Sequence, residues 1–278
     1  MPTKQEINIT KLGIIAGGGG LPQKLLRACI DSHITPYIVG FDGQTDKDLL
    51  APHNHKWFSL GQAGKIMQYF KDNDVHDLVM TGSIKRPSFA TLKTDLKGLQ
   101  IISKIGLRAM GDDGLLSILK AELESEGFTL RGIQNFCASI LMPEGVLGSI
   151  EPPKEDQETI ALGIKVTQAL GALDIGQSAI VQQGIVIGVE AAEGTDELIK
   201  RCKPLLKSGR AGVLVKTCKP QQDKYLDLPT IGLKTLENAH NANLSGIVLH
   251  AQNVLLSDID EIKARANKYG IFILGCQI

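Results

Sequence analysis

Residues 12–20 read LGIIAGGGG, an apolar, β-branched run that passes straight into four glycines. Pro22 follows, and then residues 23–33 carry Leu25, Leu26, Cys29 and Ile30 at helical spacing. Proline suits the first turn of a helix, where the N–H it lacks has no intrahelical partner. The order is therefore strand, glycine loop, helix. Such a unit commits the chain to a parallel sheet, because a crossover helix brings the next strand back beside the first. Backbone N–H groups and the helix dipole make the loop a ready anion site. Gly17, Gly18, Gly19 and Gly20 are thus candidate phosphate contacts, with a purely structural tight turn as the alternative. The run departs from G-x-G-x-x-G because Pro22 takes the third glycine position, and no G-x-x-x-x-G-K-[ST] occurs.

The alternation continues. Strands are expected at 36–41, 56–60, 77–81 and 128–131, and helices at 62–71, 98–110 and 113–126. This is an α/β chain with an N-terminal Rossmann-like parallel-sheet domain over 1–142. The Pro/Gly-rich stretch PEGVLGSIEPP marks a linker at 143–153. A distinct C-terminal α/β domain follows over 154–278. Its helices are expected at 155–170, 195–207, 235–242 and 260–269. Its strands are expected at 179–182 and 185–190 around Gln183-Gly184, at 212–217 and at 271–274, with a second hairpin made by 246–250 and 253–256.

Composition excludes several classes. The 278 residues hold 30 basic and 30 acidic side chains, which leaves no basic footprint for nucleic acid. The five cysteines are scattered and never spaced C-x-x-C, against a disulfide framework or zinc knuckle and in keeping with a reducing compartment. MPTKQEINITK lacks the apolar core of a signal peptide, and no apolar run reaches the ~18–20 residues of a membrane span. A soluble cytoplasmic protein is expected. Peripheral contact with a membrane surface is allowed.

Candidate polar sites lie at strand ends. Asp42 ends the second strand near where a ribose-binding acid would stand. Thr81, Gly82 and Ser83 follow another strand, with Lys85 and Arg86 beside them; Arg suits paired phosphate oxygens, although a basic surface loop reads the same way. Asp112 and Asp113 suit a helix N-cap, or a ribose or metal contact. Gln177 precedes a strand and Lys216 ends one. Glu190, Glu193 and Asp196 surround Gly194 and Thr195 in a loop chemically suited to Mg²⁺ or sugar hydroxyls, with Thr195 as a helix cap the alternative. Residues 219–232 read KPQQDKYLDLPTIG, and Pro220 and Pro229 make this a stiff loop. That loop holds Asp227 at a fixed place before Thr230, either as a functional carboxylate or as a turn aspartate. The histidines form no metal-ligand spacing.

In order along the chain, LGIIAGGGGLP, TGSIKRPSF, GDDGLL, LDIGQ, VEAAEGTD and KPQQDKYLDLPTIG resemble the LpxI-type UDP-2,3-diacylglucosamine pyrophosphatases of lipid A biosynthesis. The resemblance implies hydrolysis of UDP-2,3-diacylglucosamine to UMP and 2,3-diacylglucosamine 1-phosphate (lipid X), dependence on Mg²⁺, and an active site between the two domains. It carries the family's catalytic aspartate over to Asp227; beside it, Asp227 is the candidate that binds Mg²⁺ or orients the water, and Glu190 is the second candidate catalytic carboxylate. The candidate substrate contacts are Gly17, Gly18, Gly19, Gly20, Thr81, Gly82, Ser83, Arg86, Asp112, Gln177, Gly194, Thr195, Lys216 and Thr230. Its partners are the amphiphilic nucleotide-sugar lipid and the cytoplasmic face of the inner membrane, with a homodimer allowed. A nucleotide-sugar sensor without turnover is the runner-up. An NAD(P)-dependent oxidoreductase is the third reading, against which the broken glycine fingerprint counts.

Overall fold

The computed structural model describes residues 9–84, 92–106, 112–209 and 211–278. The chain forms two compact units. One comprises the residues up to Ala138 together with Asp223–Asp227; the other comprises Ser139–Gln222 and Leu228–Ile278.

In the first unit, β1 (Lys11–Ala16), α1 (Leu21–Asp31), β2 (Thr35–Phe41), α2 (Lys47–Leu50) and β3 (Asn54–Phe58) are followed by α3 (Ala63–Asp72) and β4 (Asp77–Thr81). Then come α4 (Leu96–Gly106), α5 (Asp112–Ser125) and the short β5 (Thr129–Leu130). The sheet order is β3-β2-β1-β4-β5, and every pairing is parallel. The order reverses between β1 and β4, and it is outside such a switch point that open α/β sheets leave a crevice for ligands. Ile15, Val39, Phe70, Leu78 and Leu123 pack in one core, each contributing roughly 1.5–3 kcal/mol through burial.

The second unit contains β6 (Gly145–Val146), α6 (Gln157–Ala172), β7 (Ser178–Gln182), β8 (Ile185–Val189) and α7 (Thr195–Cys202). It continues with β9 (Val213–Lys216), β10 (Thr230–Ile231), α8 (Leu233–Asn241), β11 (Gly246–His250), β12 (Leu255–Leu256), α9 (Ile259–Tyr269) and β13 (Phe272–Cys276). Six strands form a mixed sheet in the order β6-β13-β11-β9-β7-β8. β13, β11 and β9 are parallel, whereas β6, β7 and β8 join antiparallel.

The first expected hairpin forms, β7 with β8 across Gln183-Gly184, and Gln183 takes φ 50° in the turn. The second does not. β11 is buried between two parallel neighbours, as its unbroken GIVLH run suits. Leu255 and Leu256 pair instead with Thr230 and Ile231 in a separate two-stranded parallel ladder. The helix expected over 195–207 ends at Cys202 and passes into a 3₁₀ turn at Lys203–Leu205, where Pro204 lacks the N–H that would continue it. Within the Pro/Gly-rich stretch 143–153, Gly145 and Val146 form an edge strand against Gly275 and Leu274.

Candidate functional site

At the carboxyl end of β1 the glycine run divides into two halves with different work. Gly17 N–H donates to Thr81 O at 2.8 Å, and Gly18 and Ser83 exchange N–H···O bonds of 2.8 and 2.9 Å. These bonds zip the loop after β1 to the loop after β4. The approach is so close that a Cβ on Gly17 would lie 2.5 Å from Ser83 O. Gly82 sits at φ 86°, a left-handed conformation that only glycine takes freely. Gly19 and Gly20 have open space where a Cβ would stand. They lead into α1, which has no side-chain N-cap and carries Pro22 in its first turn. The helix dipole there favours an anion.

The loop after β2 joins the same edge. Thr45, only 6% exposed, accepts from Phe41 N–H at 2.9 Å and donates to Ala16 O at 2.5 Å. A threonine in an irregular loop carries no pattern, and sequence reasoning missed it. Asp42 is exposed, with Lys47 Nζ 3.7 Å away. Thr81 is buried, and among the described residues its hydroxyl has no hydrogen-bond partner. Arg86 and Lys85 lie outside the described residues; Asp112 opens α5, and its side chain too lies outside them.

Asp227 belongs with the first unit, although most of its sequence neighbours belong with the second. Residues 217–229 are loop, as the two prolines dictate. The turn-aspartate role is filled by Asp223: its Oδ1 accepts from Tyr225 N–H at 2.8 Å, and its carbonyl accepts from Leu226 and Asp227 N–H at 3.2 and 3.1 Å. Asp227 is half-buried and follows Leu226, which packs against the first unit's core. Past Asp227 the chain is again in the second unit, where Pro229 O accepts from Leu255 N–H at 2.8 Å and Thr230 opens β10.

Within the second unit the fold gathers Gln177, Glu190, Thr195 and Lys216, four residues that sequence reasoning had drawn from three separate segments. Strand pairing is the cause: Ser178 at the start of β7 stands opposite Lys216 at the end of β9, and Glu190 N–H donates to Ser178 O at 2.8 Å. Lys216 Nζ donates to Thr195 Oγ1 at 2.6 Å, and Thr195 Oγ1 donates to Glu190 Oε1 at 2.9 Å. Ser178 Oγ is 3.2 Å from Thr195 Oγ1. A hydroxyl has one proton, and Thr195 spends it on the carboxylate, so Ser178 is the donor. Gln177 N–H reaches Glu190 Oε2 at 3.3 Å. Glu190, Thr195 and Lys216 are each no more than 9% exposed. Gly194, at φ 81°, turns the chain into α7 just before Thr195. Beside this network, among the described residues, the Thr217 hydroxyl and Gln177 Oε1 are buried without a hydrogen-bond partner.

The other two carboxylates of that loop point to different partners. Glu193 pairs with Arg201 at 2.7 Å, and Asp196 Oδ1 accepts from Thr235 at 2.8 Å. Among the described residues no three His, Cys, Asp or Glu side chains are grouped to hold a metal ion, and no helix is long and apolar enough to cross a membrane.

Comparison with known proteins places these segments in one context. The family model for the LpxI N-terminal domain matches residues 11–140, and that for the LpxI C-terminal domain matches residues 143–274. The UDP-2,3-diacylglucosamine pyrophosphatase LpxI of Caulobacter vibrioides is 36% identical over 272 residues, covering 95% of this chain and 97% of that one. Among solved structures, the leucoanthocyanidin reductase–NADPH complex of Vitis vinifera is 10% identical, covering 96% of this chain and 78% of the other at a TM-score of 0.30. An N5-carboxyaminoimidazole synthase of Aspergillus clavatus is 16% identical, covering 72% and 45% at a TM-score of 0.24. Scores this low carry no argument.

Proposed function

The chain belongs to the LpxI family, and from that membership we propose that it hydrolyses the pyrophosphate bond of UDP-2,3-diacylglucosamine. A water oxygen forms a new bond to phosphorus, the bridging P–O bond breaks, and the products are UMP and 2,3-diacylglucosamine 1-phosphate. The observation that carries the reading is the 36% identity to a pyrophosphatase of that name along 95% of the chain. The DLPTIG segment, with Asp227 held at a fixed place, supplies the carboxylate that the chemistry needs.

Pyrophosphate cleavage requires negative charge on the phosphoryl oxygens to be offset and a water to be oriented in line. In this reading Asp227 orients the water, and it is the residue that would hold Mg²⁺. One protein carboxylate suits that ion, which is typically held by one or two carboxylates together with substrate phosphates and keeps several waters. When bound, Mg²⁺ would neutralise charge on the phosphoryl oxygens. Gly19 and Gly20 at the start of α1, with Ser83 and Arg86, hold phosphate oxygens of the UDP portion, and Gly17, Gly18, Thr81 and Gly82 shape that loop pair. Asp112 is assigned to the same portion. Gln177, Gly194, Thr195, Lys216 and Thr230 are assigned to substrate contacts of the second unit. Glu190, with both oxygens engaged by Thr195 and Gln177, holds Thr195 and Lys216 in place for that role. The substrate's acyl chains make the cytoplasmic face of the inner membrane the natural place of action.

The test is UMP release from UDP-2,3-diacylglucosamine by the purified chain, with Mg²⁺ and with chelator. Metal-dependent release supports the reading. Binding without turnover would make the protein a sensor of this nucleotide sugar instead.

A further inference from the structure

We propose that Lys120 is a positioning residue for Asp227, acting through Asp223. The inference rests on the reading of Asp227 as the carboxylate of the reaction. Lys120 lies on α5, far from Asp227 in sequence, and no motif marks it. Its Nζ is 2.5 Å from Asp223 Oδ2, with both side chains 26% exposed, and 5.7 Å from the centre of the Tyr225 ring. The Asp223 carboxylate is thereby fixed on both oxygens, Oδ2 by Lys120 and Oδ1 by Tyr225 N–H. The Asp223 carbonyl in turn accepts the N–H groups of Leu226 and Asp227. A side chain of α5 thus reaches the backbone of Asp227 through one residue. Gln134 adds a tie of its own, donating from Nε2 to Lys224 O at 2.7 Å.

The charges agree with the geometry. Burial would raise the Asp223 carboxyl, yet the hydrogen bonds from Lys120 and from Tyr225 N–H outweigh it and hold the group below the ordinary carboxylate range. The hydrogen bond to Asp223 holds Lys120 above its ordinary value. The pair is therefore fully ionised near neutral pH.

Residues 223–227 have no regular secondary structure, so their placement rests on side-chain ties, and a displacement of about 1 Å at a reacting group can cost roughly 10²-fold in rate. Lys120 adds to the ties from Gln134 and the packing of Leu226 without being asked to touch the reacting atoms.

The experiment compares Lys120→Met and Lys120→Arg with wild type in the full chain. It measures kcat and KM for UMP release per folded protein, and amide hydrogen exchange at residues 225–227. Lys120→Met is expected to lower kcat about 10–100-fold, to leave KM within about twofold, and to speed exchange at Leu226 and Asp227. Lys120→Arg, which keeps the ion pair, is expected to restore most of kcat. Asp223→Asn breaks the same pair from the other side and serves where Lys120→Met folds poorly. Unchanged exchange in both variants would overturn the proposal. Faster exchange with undiminished kcat would also overturn it, and would locate the failure in the reading of Asp227 and not in the tie.

Discussion

Thr195 Oγ1 lies 2.9 Å from Glu190 Oε1 and gives the carboxylate its one proton, so everything else that meets this hydroxyl must donate to it. Lys216 does so at 2.6 Å, and Ser178 is the third partner at 3.2 Å. The threonine is the joint between a buried carboxylate and a buried ammonium. It lies at the start of α7, where sequence alone offers a substrate contact or, as the alternative, a helix cap.

Replacing Thr195 by Val keeps the shape and removes that joint. Thr195→Val is expected to destabilise the chain by about 1–3 kcal/mol, because Glu190 and Lys216 each lose a buried partner. Thr195→Ser should stay close to wild type. Urea denaturation of the two variants beside wild type measures the difference.

The loop pair after β1 and β4 makes a second prediction. Gly82 has φ 86°, and a Cβ there would lie 2.7 Å from Gly18 O. Gly82→Ala is expected to cost about 1–3 kcal/mol through strain and overpacking, read as a lower Tm. Gly20→Ala, where a Cβ meets nothing within 4 Å, is expected to leave Tm nearly unchanged.

Much of the first unit was legible because strand and helix alternate there with clear apolar periodicity, and the glycine run marks the first crossover. The four-residue α2 and the two-residue β6 are too short for any period to show. The second expected hairpin failed because two apolar runs separated by two residues say nothing about which neighbours each will find. Glu190 with Thr195, Lys216 and Gln177 were singled out on three separate segments; that they form one network follows from the pairing of β7 with β9. The membership of Asp223–Asp227 in the first unit, and the parts played by Lys120, Gln134, Thr45 and Ser178, depend on contacts between distant segments. Nothing in local composition announces them.

Acid stability follows from a cluster on α3, α4 and α5. Hydrogen bonds from Lys71 and Lys97 hold the Glu126 carboxyl at about 2, against an ordinary 4.5. Lys104 and Lys97 likewise hold Glu122 below its ordinary value. Because these values are depressed in the folded state, the stabilisation is present above the ordinary value and is lost as pH falls from about 4.5 toward about 2. Glu126→Gln is expected to lower Tm near neutrality, where the paired carboxylate is ionised, and so to flatten the fall across that window. A variant whose acid limb matches wild type would contradict the assignment. Glu126 is partly exposed, so added salt should shrink the effect.

Metal removal gives a separate expectation. Chelation should abolish UMP release, and added Mg²⁺ should restore it without refolding, since a single protein carboxylate together with substrate phosphates would hold the ion. Circular dichroism of the chelated protein should match that of the untreated chain, separating loss of chemistry from loss of fold.

The central claim is tested most directly by UMP release from UDP-2,3-diacylglucosamine in wild type and Asp227→Asn, measured side by side on folded protein. The account predicts turnover by wild type and a loss of at least about 10²-fold in kcat for the variant, with the same Tm to within a few degrees. Equal turnover in the two proteins would contradict the role given to Asp227, and no turnover in wild type would contradict the proposed activity itself.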